Sequence, residues 1–228
     1  LDEEDIDFPA AHTNDNVVNR YFQTAHYMDE AVEQFFDELK RAGLYDNTII
    51  VMYGDHYGIS TNHNKAMKQI MGEEITPYVN AQMQRVPLFI HVPHVKGKVV
   101  HQYGGEVDVR PTVLHLLGID TKKFVGFGSD LLSPEHREIV PFRNGDFVTP
   151  DYTYVSGKCY SNPNGVPVEN KVCGPYKEIA RKELQFSDKV VYGDLLRFYT
   201  PKGFKPIDRK SISYTKDETK NELNTSNE

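Results

Sequence analysis

The stretch Thr48-Ile49-Ile50-Val51-Met52-Tyr53-Gly54-Asp55-His56 governs how this chain is read. Its first six residues are β-branched or apolar without polar alternation, the pattern of a strand buried on both faces, typical of a parallel sheet. Gly54 ends the run and frees the backbone for a sharp corner. Asp55 and His56 then stand at the carboxyl end of a strand, the edge along which open α/β sheets gather ligands. Where the chain leaves strand geometry, a carboxylate and an imidazole can turn toward one point. One oxygen and one nitrogen donor suit Mn²⁺ or Zn²⁺. A capping Asp beside a surface His is the plainer reading of the same pair, and the residues alone leave both open.

Upstream, Val18, Tyr21, Phe22, Ala25, Met28, Val32, Phe35, Phe36 and Leu39 recur at three- and four-residue steps. They predict one amphipathic helix over 15–41, capped by Asn14 or Asp15 and stopped at Gly43. Downstream, the run from Val86 to Val92 predicts a second buried strand, and Pro111 to Leu117 a short helix with Gly118 past its end. Helix, strand, helix, strand, helix is the α/β rhythm.

The pattern changes near Pro141. Phe147–Val148, Tyr152–Val155 and Val190–Tyr192 are short segments split by turn signals such as Asn162-Pro163-Asn164-Gly165. They predict a small antiparallel sheet, with a helix around Tyr176–Gln185. The organisation expected is a first part over residues 1–140 and a small α+β part over 141–228, ending in a polar tail from Thr215 that frays. The only two cysteines, Cys159 and Cys173, flank the Asn-Pro-Asn-Gly turn. A bridge across a hairpin and a pair of free thiols are both open from spacing. Without a C-x-x-C, a thiolate zinc site is disfavoured.

Twenty-six Lys and Arg against 33 Asp and Glu give 228 residues a net charge of −7. That balance argues against a nucleic-acid partner, because no basic excess exists to displace counterions. No apolar run approaches the roughly 20 residues of a membrane span. Leu1, with neither an initiator Met nor a signal peptide, reads as a start inside a longer protein.

The succession of long helix, Gly43-Leu44-Tyr45-Asp46-Asn47, buried strand, Gly54-Asp55-His56-Tyr57-Gly58, Arg85-Val86-Pro87-Leu88-Phe89-Ile90 and Asp108-Val109-Arg110-Pro111-Thr112 resembles the carboxyl-terminal half of the alkaline phosphatase superfamily, in its sulfatase-like branch. Tyr53-Gly54-Asp55-His56-Tyr57-Gly58-Ile59-Ser60, with Asn62-His63-Asn64-Lys65 after it, is similar to the extracellular domain of the lipoteichoic acid synthases of Gram-positive bacteria. The resemblance runs from about Asp15 to Leu132. It implies an α/β fold: part of a sulfatase-like sheet flanked by helices, plus a small carboxyl-terminal antiparallel sheet with a helix.

For the site, the resemblance implies Asp55 and His56 as ligands of a catalytic Mn²⁺, ahead of Zn²⁺ or Mg²⁺, and Ser60 as a glycerolphosphate-pocket residue. The family's nucleophilic Thr, an acidic metal ligand and a substrate-binding His lie upstream of Leu1, so no catalytic nucleophile is assigned in this chain and it is expected to be inactive alone. The implied reaction moves glycerolphosphate from phosphatidylglycerol to a growing polyglycerolphosphate chain through a Thr-bound intermediate. The implied partners are those substrates and the upstream half of the domain, with a membrane anchor also upstream. The implied setting is the outer face of the cell membrane, or a released soluble domain.

Two other readings stand beside this one. A sulfatase- or phosphatase-type hydrolase would use water as acceptor, and an inactive cleaved surface fragment would do no chemistry. His63 reads as a solvated loop residue and His26 as a helix-packing one. His91 and His94 at a strand end are open to a role behind the metal ligands. Asp108 and Arg110 read as the cap and first turn of a helix, joined by a structural ion pair.

Overall fold

A computed structural model describes residues 11–203 and 205; the polar tail from Thr215 lies outside them. Helix α1 (Asn16–Arg41) begins where Asp15 caps it, its carboxylate accepting the Val17 and Val18 amide protons. Gly43, at φ +67°, turns the chain away, as a left-handed stop requires. Of the apolar stripe only Val18 is fully buried. It meets Ala66 and Met67 of α2 (Asn64–Met71), with Phe22, Ile59, Ile75 and Met83 packed around them.

Strands β1 (Ile50–Tyr53) and β2 (Leu88–His91) form a two-stranded sheet in which Ile50 faces His91 and Tyr53 faces Leu88. The pairing is antiparallel, not the parallel arrangement expected. β-branched composition reports strand preference but carries no directional information, so the expectation outran its basis. Nor are both faces covered, since Tyr53 is 50% and Phe89 63% exposed. Between the strands lies α3 (Pro77–Gln82), with Thr76 as its cap and Pro77 in its first turn.

Helix α4 (Val109–Leu116) begins two residues earlier than expected, with Pro111 in its first turn. Asp108, only 4% exposed, accepts the Gly105 and Ser129 amide protons at 2.8 and 2.6 Å rather than pairing with Arg110. Thr112 donates to the Asp108 carbonyl and accepts from the Leu131 amide. Buried amide donors need acceptors, and these two side chains stitch the loop after α4 onto its start.

The second sheet is a five-stranded antiparallel meander of β3 (Val140–Pro141), β4 (Phe147–Val148), β5 (Tyr152–Val155), β6 (Lys158–Ser161) and β7 (Val166–Val168). Helix α5 (Asn170–Tyr192) covers one face, and Phe147, Cys159, Cys173 and Ala180 form the core between them. The expected helix of 176–185 is thus 23 residues long. Val190–Tyr192, expected as strand, is its last turn. Pro175 lies inside this helix as its sixth residue; it gives up its own amide hydrogen bond, and the helix continues.

Cys159 and Cys173 are bridged. The disulfide joins β6 to the first turn of α5 rather than spanning the β6–β7 hairpin. Helix α3 also belongs to this layer: Ala81 packs with Val155 and Tyr160, Gln82 donates to Thr153 at 2.9 Å, and the Tyr78 hydroxyl donates to the Pro163 carbonyl at 2.8 Å.

Candidate active site

The corner after β1 is fixed by its glycine. The Gly54 amide donates to the Pro87 carbonyl at 3.1 Å, and a Cβ at Gly54 would press within 2.9 Å of Val86 Cβ. That close approach of two backbones excludes a side chain. Asp55 and His56 project beyond it, their side chains 87% and 74% exposed, with Asp55 Oδ1 3.6 Å from His56 Nε2.

The imidazole is held through its other nitrogen, Nδ1 lying 2.8 Å from the Tyr57 carbonyl. Since a carbonyl only accepts, Nδ1 carries the proton and the neutral ring leaves its lone pair on Nε2, the form a metal ligand needs. The same bond raises the His56 pKa above its ordinary value, with Asp55 adding to the effect. Two ligand atoms each about 2.1 Å from a tetrahedral ion lie about 3.4 Å apart, so the 3.6 Å spacing of this exposed pair fits one cation. Among the described residues no group of three or more His, Cys, Asp or Glu side chains could hold a metal.

A cleft of about 370 Å³ opens beside the corner, between the start of α1 and the loop after His56, with Tyr21, His56, Ile59, Ser60 and His63 among its walls. Ser60 is half-buried there, while Asp55 stands outside. Gly58 lies so close to the Tyr21 hydroxyl that a Cβ would overlap it.

His63 is not a solvated loop residue. Its Nδ1 lies 2.6 Å from Asp15 Oδ2, with the two side chains 25% and 29% exposed. Asp15 Oδ1 receives the Val17 and Val18 amides. The His63 contact first, and these amides with it, lower the Asp15 pKa. Sequence reasoning missed the pair because its members stand 48 positions apart and Asp15 already had a role as a cap. His91 stacks on Tyr45 with ring centroids 4.2 Å apart and reaches the Tyr45 carbonyl, which makes it a packing residue. His26 is exposed.

The sulfatase family model matches residues 2–119. The chain belongs to the sulfatase family. Within it, the chain is 58% identical over 231 residues to lipoteichoic acid synthase 2 of Bacillus subtilis, covering 100% of this chain and 36% of that protein. It is 47% identical over 216 residues to the lipoteichoic acid synthase of Staphylococcus aureus, covering 94% of this chain and 33% of that one. The chain therefore spans about a third of the length of the curated relatives it matches.

Among solved structures, it superposes on the lipoteichoic acid synthase LtaP from Listeria monocytogenes with a TM-score of 0.70 and 30% identity, covering 84% of this chain and 50% of that one. A protein in the alkaline phosphatase superfamily from Vibrio parahaemolyticus, at TM-score 0.51 and 20% identity, shares the fold.

Proposed function

We propose that this chain is the carboxyl-terminal part of the catalytic domain of a lipoteichoic acid synthase, which transfers glycerolphosphate from phosphatidylglycerol to a growing polyglycerolphosphate chain. The observation that carries the reading is the Asp55–His56 corner, with its two donor atoms 3.6 Å apart beside a cleft that includes Ser60. The relatives alike along 100% and 95% of the chain support it.

Asp55 and His56 would hold Mn²⁺ together with donors from the upstream half. The ion, when bound, acidifies a hydroxyl nucleophile and draws charge from phosphoryl oxygens. This chain's residues do the rest. The Tyr57 carbonyl fixes the His56 tautomer, Gly54 sets the corner, and Ser60 contributes a hydroxyl to the glycerolphosphate pocket. The nucleophilic Thr that carries the glycerolphosphate between the two half-reactions lies upstream in this reading, which makes the chain inactive alone. The disulfide supports an extracellular setting, where such bonds persist, with the membrane anchor upstream.

The test is product analysis of the complete Mn²⁺-supplied protein on phosphatidylglycerol vesicles. Diacylglycerol release with glycerolphosphate polymer is the expected result. Diacylglycerol with only free glycerolphosphate would replace transfer by hydrolysis, and no lipid turnover would overturn both.

A further inference from the structure

The Asp15–His63 pair has a geometry that the metal corner does not use. Three donors converge on one carboxylate: the two first-turn amides of α1 on Oδ1, and the imidazole on Oδ2 at 2.6 Å. The His63 backbone is itself tied back by its amide, which donates to the Ser60 carbonyl at 3.0 Å. With Nδ1–H committed to Asp15, Nε2 is the one polar atom this ring can offer to anything in the cleft it borders. A carboxylate–imidazole pair of this orientation, carboxylate on Nδ1 and a free Nε2, is the arrangement that receives a hydroxyl proton donor elsewhere in enzyme chemistry.

The walls of the cleft decide what kind of molecule brings that hydroxyl. Among the described residues, Val17, Val18 and Ile59 give it apolar walls. A glycerol moiety needs an apolar wall and a few directed polar atoms. Ser60 and His63 supply those atoms.

We infer that the Asp15–His63 pair binds the acceptor, taking the free glycerol hydroxyl of the acceptor end as a hydrogen bond at His63 Nε2. The inference rests on the transferase reading. It makes His63 a determinant of whether glycerol or water receives the glycerolphosphate, because an acceptor hydroxyl held at the cleft outcompetes water by position.

The experiment supplies the complete Mn²⁺-loaded protein with phosphatidylglycerol vesicles and free glycerol as acceptor. It measures the ratio of glycerophosphoglycerol formed to glycerolphosphate released. A ratio is read only from active molecules, so partial misfolding of a variant leaves it unchanged. For His63→Gln the ratio is expected to fall about tenfold, the scale of one lost hydrogen bond, with the KM for lipid unchanged. Asp15→Asn, which keeps a cap acceptor but no longer fixes the ring, is expected to fall less in the same direction. An unchanged ratio in both variants, or equal losses on lipid and glycerol, overturns the inference and leaves the pair as a latch. Failure of the wild-type protein to turn over lipid overturns the transferase reading instead.

Discussion

The two sheets of this chain contrast in how much they bury. In the carboxyl-terminal layer, Phe147 and Cys159 of the meander and Cys173 of α5 are 0% exposed, while in the β1–β2 pair Phe89 is 63% exposed. One layer closes on itself through α5 and a disulfide. The other presents apolar side chains on an open sheet and carries the exposed Asp55–His56 corner. Burial, and with it packing stability, is therefore concentrated in the carboxyl-terminal layer. The closed layer is a scaffold in its own right, and in the proposed reading the open one carries donors to the metal.

The largest expected effect lies at the open layer. Asp55→Ala in the complete protein is expected to abolish turnover, a loss of about 10³-fold or more, with the thermal midpoint unchanged. Retained turnover with unaltered Mn²⁺ content would remove Asp55 from the site. Next is a paired comparison. Phe147→Ala empties a fully buried site and is expected to cost about 3–5 kcal/mol, whereas Phe89→Ala in this chain alone is expected to stay within about 0.5 kcal/mol. Urea unfolding measures both, and equal costs would break the contrast between the layers.

Opening the disulfide is expected to destabilise the closed layer by about 3 kcal/mol on the chain-entropy account, since the bridge spans 14 positions. Urea curves with and without reductant test this, and coincident curves would mean that packing alone holds α5 in place.

The smallest effect concerns pH. Folding lowers the Asp15 pKa from its ordinary 3.8, so its contribution is present above about pH 4 and fades as pH falls through the depressed value. The gap in thermal midpoint between wild type and Asp15→Asn should therefore be steady near neutrality and close under acid. A gap that widens on acidification would contradict the Asp15–His63 pairing.

Local signals were legible and pairings at a distance were not. The three- and four-residue period gave α1, the cap at Asp15 and the stop at Gly43. The run ending at Tyr53 placed Gly54-Asp55-His56 at a strand end. Strand direction was illegible, because propensity is the same for parallel and antiparallel neighbours. The length of α5 was hidden at its carboxyl end, where the strand-prone Val190, Val191 and Tyr192 form its last turn. The His63–Asp15 contact and the seating of α3 against β5 join residues far apart in sequence, and each partner already had a sufficient local reading.

Helix α3 has one further consequence. It precedes the long connection through Lys122 and Lys123, yet its Ala81, Tyr78 and Gln82 are seated on strands that follow that connection. A proteolytic nick at those exposed lysines would cut the polypeptide without parting it. The two fragments would travel as one particle under native conditions and separate only in denaturant, so an intact elution profile would say nothing about an intact chain.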